Sequence, residues 1–266
     1  MVAHPLHMIA ERIPRSVFVR LIALYFLLLE PELRELKQFV PRGKTAIDVG
    51  TWWGPWSWWL ARVVPRVEAF EPNASICDGL RAVLPANVNL HGVALSDRQG
   101  TSQLWSPSGD IGTEGRSTLI AQDHAGWVRQ DVETTTLDAY DFSNVGFVKI
   151  DVEGLELNVL QGASSLLEKE HPNIFIEVED AHHSGDHVDE VFDFISSFGY
   201  EGTYLDGKTW RPLEDLDRDA TRRRGERNKK MGIFHALFAR GRERYVNNFL
   251  FVPRASTYGA SRTLGN

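Results

Sequence analysis

Three clusters in this 266-residue chain have the residue types and spacing for chemistry. The first is Asp48-Val49-Gly50-Thr51-Trp52-Trp53-Gly54, closing a short apolar run. Two glycines where a strand turns into a helix let the backbone approach a ligand closely. Glu71-Pro72 closes the next apolar run, roughly 20 residues on, where an acid can accept both ribose hydroxyls. Gly50 and Gly54 alone make a tight turn. With a strand-ending acid they point to an adenosine ligand. The spacing Gly-x-x-x-Gly disfavours a dinucleotide, and no Gly-Lys-Ser/Thr is present to cradle phosphates. A ligand without phosphates, such as S-adenosylmethionine, needs neither.

The second cluster is Asp151 and Glu153. Asp151 ends a further apolar run, at the strand edge where open α/β sheets bind ligands. Glu153 either shares that site or merely begins the next helix and meets its dipole. The third cluster, Glu177 to Asp186 and His187, holds acids and imidazoles but no lysine or arginine. Histidine titrates near neutral pH, so His182 or His183 is a candidate base. A solvated polar loop is the second reading. A Mg²⁺ ion held by Asp151 with Glu179 or Asp180 is the third, on oxygen-ligand chemistry.

Alternating elements must position these residues. Strand signals fall at 45–49, 67–70, 88–95, 146–151, 174–178 and 248–252, with helical signals at 55–64, 75–84 and 188–198. Pro55 suits a first helical turn and Asn73 or Ser75 an N-cap. Such alternation predicts an α/β fold with a mainly parallel sheet and helices on both faces. Residues 106–126 read as a long polar loop, of the kind that shapes a ligand site.

The sequence resembles the FkbM family of S-adenosylmethionine-dependent methyltransferases. The resemblance rests on Ile47-Asp48-Val49-Gly50, Phe70-Glu71-Pro72-Asn73 and Val148-Lys149-Ile150-Asp151-Val152-Glu153-Gly154-Leu155-Glu156. Thr136-Leu137-Asp138, Leu160-Gln161-Gly162-Ala163 and Pro172 to Glu177 support it. It implies a Rossmann-like class I methyltransferase fold and transfer to a hydroxyl, often of a sugar or natural product. It implies a cofactor site at Asp48, Gly50, Trp52, Gly54, Glu71, Pro72, Ser96 and Asp151. One position departs from the family, which usually carries Asn near Trp52. Here five tryptophans, 52, 53, 56, 58 and 59, crowd eight residues. Core packing is the first expectation for most of them, with Trp52 the one to face the ligand.

Composition bounds the rest. Hydrophobic residues make up 42% and charged residues 24%, a globular balance. A net charge of -7 counts against nucleic acid as a partner. The single cysteine, Cys77, excludes an internal disulfide and a multi-cysteine zinc site. The expected division is an N-terminal helical extension at 1–40, the methyltransferase domain at 41–254 and a disordered tail at 255–266. The location expected is cytoplasmic. The apolar run 17–29 is too short to span a bilayer; it reads as a helix packed on the core, with a membrane-touching helix as the alternative. Residues 217–230, rich in arginine and lysine, read as a solvated loop, or as a contact for a membrane or an anionic acceptor. Two rival functions remain: N-methylation of a small amine, and a non-catalytic binding protein on the same fold.

Overall fold

The computed structural model describes residues 13–107, 117–120, 126–178, 187–221, 223 and 246–254. Eight strands form the main sheet. They are β1 (Thr45–Val49), β2 (Arg66–Phe70), β3 (Val88–His91), β7 (Val145–Ile150), β8 (Asn173–Glu177), β9 (Tyr200–Asp206), β10 (Thr209–Pro212) and β11 (Asn248–Pro253). Their order is β10-β9-β11-β8-β7-β1-β2-β3. The five strands from β3 to β8 run parallel, and β11 slots antiparallel between β8 and β9. β1 and β7 are apolar because helices cover both faces of the sheet centre; every β7 residue is buried.

The helices are α1 (Arg15–Leu29), α2 (Leu36–Phe39), α3 (Pro55–Leu60), α4 (Ala74–Leu80), α5 (Glu156–Gln161), α6 (Ser164–Glu170) and α7 (His187–Ser197). Pro55 opens α3, and the Asn73 side chain caps α4 by accepting from the N–H groups of Ser75 and Ile76. The expected single strand at 88–95 is two. β3 ends at His91, and β4 (Ala94–Leu95) joins a second sheet with β5 (Gly100–Pro107) and β6 (Trp127–Thr135). Much of the expected 106–126 loop therefore links a hairpin whose strands flank it.

Helix α1 accounts for the tryptophan cluster. Phe18, Val19, Ile22 and Ala23 of α1 are buried. Trp53 meets Phe18 edge-on at 5.3 Å, and Trp52 meets Phe26 at 5.6 Å. The indole N–H of Trp59 donates to the Ala23 carbonyl at 2.7 Å, and that of Trp56 to the Glu30 carboxylate at 2.6 Å. Arg20 lies over the Trp58 ring. All five tryptophans thus touch residues 18–30, and the loop that turns from β1 into α3 is also the seat of α1. Trp53 and Trp56 are core residues, as expected.

Candidate active site

A cavity of about 330 Å³ opens at the carboxyl ends of β1, β2, β7 and β8. Gly50, Trp52, Glu71, Pro72, Asp151 and Glu153 line it, so these six of the residues picked from the sequence do meet. Val93, Ala94 and Leu95 add an apolar strip, and Leu104, Ser117, Thr118 and Leu119 reach in from the second sheet. The Thr118 hydroxyl donates to the Glu153 carbonyl at 2.9 Å.

Gly50 stands at φ 77°, and a Cβ there would lie 1.7 Å from the Asp151 carbonyl oxygen. The glycine is needed because two strand ends close on each other, and a ligand is not the only reason for it. The N–H groups of Gly50 and Thr51 both donate to the Phe70 carbonyl, which holds the turn against β2. Trp52 has a left-handed backbone, φ 48°, uncommon for a bulky residue. Its N–H donates to one oxygen of Glu71 at 2.9 Å, and the Asn73 N–H donates to the other at 2.9 Å. Glu71 is thereby fixed in orientation. Burial pushes its carboxyl up to about 7, against those two hydrogen bonds.

Lys149 lies beneath this turn, almost wholly buried. Its ammonium donates to Asp151 at 3.1 Å and to the Gly50 carbonyl at 3.3 Å, and stands 3.8 Å from Asp48. Burial opposes this charge, but Asp151, Asp48 and Glu30 outweigh it and hold Lys149 above the ordinary lysine range. Asp48 is fully buried behind the cavity and accepts from the Ser57 hydroxyl at 2.6 Å. Burial raises its carboxyl above the usual aspartate value, with Lys149 and Ser57 opposing. Lys149 lies within the run Val148 to Glu156, where the sequence alone assigns it no role. A charged residue inside the apolar run Val145 to Ile150 was the available signal, since buried lysines are nearly always paired.

Glu30 carried no such signal. It follows α1 and lines the cavity beside Phe26 and Leu29. Burial pushes its carboxyl up to about 8, with Lys149 the main opposing influence.

Two expected residues lie elsewhere. Gly54, at φ 77°, caps the start of α3 and is absent from the cavity wall. The Ser96 hydroxyl donates to Asp97 at 3.0 Å, holding that carboxyl below the usual range, and Ser96 does not line the cavity either. Its carbonyl packs against Gly162, where a Cβ would approach to 2.1 Å. Glu179, Asp180, His182 and His183 lie outside the described residues. The described residues stop at Val178 and resume at His187, whose ring meets Glu156 at 3.0 Å. Among the described residues no group of three or more His, Cys, Asp or Glu is placed to hold a metal.

The strand order, with one antiparallel strand inserted beside the parallel set, and a cavity at the carboxyl ends define a class I methyltransferase fold. The FkbM methyltransferase domain matches residues 48–201, and the chain belongs to that family of S-adenosylmethionine-dependent methyltransferases. Among solved structures, an FkbM methyltransferase from Methylobacillus flagellatus is similar at 16% identity and a TM-score of 0.50. The match covers 93% of this chain and 57% of that one, so this chain spans little more than half its length. A methyltransferase from Streptococcus mutans, solved with S-adenosylhomocysteine, matches at 14% identity over 71% of this chain and 90% of that one, with a TM-score of 0.42. An rRNA methylase from Streptococcus thermophilus matches at 11% identity over 94% and 96%, also with a TM-score of 0.42. No curated protein sequence matches.

The cavity fits the cofactor on its own geometry. Glu71 is held by two backbone N–H groups at a strand end, and the buried indole N–H of Trp52 has no hydrogen-bond partner among the described residues.

Proposed function

We propose that this chain transfers the methyl group of S-adenosylmethionine to a hydroxyl of a sugar or glycolipid. The observation that carries the reading is Glu30, a carboxyl group that lines the same cavity as Glu71 and Asp151 and is fixed there by the Trp56 indole N–H, which donates to it at 2.6 Å. S-Adenosylmethionine supplies an activated methyl on its sulfonium. The protein's remaining tasks are to hold the acceptor in line and to take its proton. In this reading Glu71 accepts the ribose hydroxyls and the Trp52 indole donates to the cofactor. Glu30 in its ionised form accepts the proton from the acceptor hydroxyl; because burial raises the group to about 8, that form gains as pH rises toward 8, and so should turnover.

The cavity wall supports a polyhydroxyl acceptor. Among the described lining residues Glu30, Glu71, Asp151, Glu153 and Glu177 face one cation, Lys149, which Asp151 and Asp48 already engage. Such a wall accepts hydrogen bonds from hydroxyls and repels phosphate. It would also attract a cationic amine, which keeps N-methylation as the second reading. His182 or His183 stays the alternative base.

The test is methyl transfer from labelled S-adenosylmethionine to panels of sugars, glycolipids and amines. Wild-type protein should modify a hydroxyl compound, and Glu30→Gln should slow it by about a hundredfold while S-adenosylhomocysteine binds as before. Transfer to amines that Glu30→Gln leaves intact would replace the reading with N-methylation. No calorimetric binding of S-adenosylhomocysteine to the wild type would replace it with a non-catalytic binding protein.

A further inference from the structure

Helix α1 is apolar nearly all round, which is the pattern of a helix buried on every side. It is not buried on every side. One face carries Phe18, Val19, Ile22 and Ala23 into the core, and Phe26 and Leu29 line the cavity. A third face is open, where Val17, Leu21, Leu24 and Leu28 are 40%, 46%, 53% and 68% exposed. Their spacing of four, three and four residues sets them in one row along the helix. These are four of the five large hydrophobic side chains most exposed in the described structure, and α1 holds them all. A contiguous apolar stripe of this kind marks an interaction surface.

The flanks of the stripe identify what covers it. Every charged residue of α1 is an arginine, Arg15 and Arg20, and both are exposed. Arg62 joins them: its guanidinium lies 4.2 Å from the centre of the Trp58 ring and 5.3 Å from that of Trp59, with Arg20 on Trp58 at 5.6 Å. Arg20 and Arg62 are close enough for each to be felt by the other, and Arg20 adds to burial in lowering the Arg62 guanidinium below its ordinary value. Arg34 closes the far end, donating to the Leu27 carbonyl at 2.7 Å. A cationic rim on a protein of net charge -7 is a local reversal of sign. A second copy of this face would bring the arginines of α1 against one another, since α1 itself holds no acidic residue to pair with them across a seam. Anionic headgroups supply the opposite charge, acyl chains take the leucines, and tryptophans with arginines over them suit the boundary between the two.

We propose that the Val17–Leu21–Leu24–Leu28 face of α1 docks the protein on the surface of an anionic lipid bilayer. No helix among the described residues is long and apolar enough to cross a membrane, so the contact is interfacial. Phe26 and Leu29, on the side of the same helix turned away from that row, line the cavity, so docking places α1 between the bilayer and the cavity. The docking itself does not rest on the hydroxyl reading, and its test involves no methyl transfer.

The test is flotation of the full chain with vesicles of phosphatidylcholine alone and with vesicles that also contain phosphatidylglycerol. The wild type should float with the second and not the first, and release as salt rises. Leu24→Glu with Leu28→Glu should weaken binding by more than about tenfold, and Arg20→Glu by about tenfold. Both variants should keep wild-type circular dichroism and S-adenosylhomocysteine binding, since the altered side chains are exposed. Absence of binding to phosphatidylglycerol vesicles would overturn the proposal, as would equal binding by the Leu24→Glu, Leu28→Glu variant. So would a wild-type dimer in sedimentation velocity that the double variant converts to monomer, which would assign the face to a second copy.

Discussion

The two walls of the cavity are built by opposite means. The wall proposed for the cofactor is backbone: the Gly50 turn, the N–H groups of Trp52 and Asn73 on Glu71, and the closure of β1 on the end of β7. The other wall is made of side chains from α1 and the residue after it, Phe26, Leu29 and Glu30, which precede the matched family domain. The first wall is over-determined, because each of its groups is held by a neighbour along a strand end. The second hangs on how one helix seats against five tryptophans. A wall set by backbone tolerates little change. A wall set by a docked helix can be altered without disturbing the fold, which suits the side of an enzyme that chooses acceptors.

That contrast can be broken from the backbone side first. Gly50→Val should cost about 4 kcal/mol or more, since a Cβ there would overlap the Asp151 carbonyl; thermal unfolding should show it, and S-adenosylhomocysteine binding should vanish. Next, Lys149→Met leaves Asp48 and Asp151 without their buried cation, and chemical denaturation should report a loss of about 3–5 kcal/mol. Glu71→Ala should fold, and calorimetry should find S-adenosylhomocysteine bound about tenfold to a hundredfold more weakly, the worth of hydrogen bonds to a charged group. If Glu71→Ala bound as well as the wild type, the cofactor wall would be misassigned.

A pH dependence sharpens the other wall. Glu30 ordinarily titrates near 4.5 and is raised to about 8 by burial. The folded chain therefore holds this proton more tightly than the unfolded chain. The resulting stability is complete below about 4.5 and is lost as pH rises through about 8. Glu30→Gln should flatten that part of the stability-against-pH curve while leaving cofactor affinity unchanged. An unaltered curve would mean that Glu30 does not hold its proton in the folded chain.

Much of the centre was legible in the sequence because it is local. Short apolar runs closed by Asp48-Val49, Glu71 and Asp151 are strands whose ends carry polar groups, and β1, β2 and β7 lie where those runs fall, as β8 and β11 do on the runs 174–178 and 248–252. Asn73 and Pro55 mark helix starts by chemistry that acts within a few residues. The second sheet was not legible. β5 and β6 bury little besides Leu104 and Val132, so neither shows the alternation that reveals a strand. Residues 88–95 read as one strand because a run of apolar residues does not say that it will divide at Gly92 between two sheets.

By itself, then, the sequence determined the parallel sheet, the glycine turn and the acid that ends β2, because strand period, turn chemistry and capping are properties of neighbours in the chain. Only the tertiary structure decided that Lys149 is caged by Asp48 and Asp151, that Glu30 joins a cavity whose floor lies more than a hundred residues further on, and that the tryptophans exist to seat α1. Those are contacts between distant segments. Their strength comes from burial, which raises or cages a charge only once the fold has removed the water.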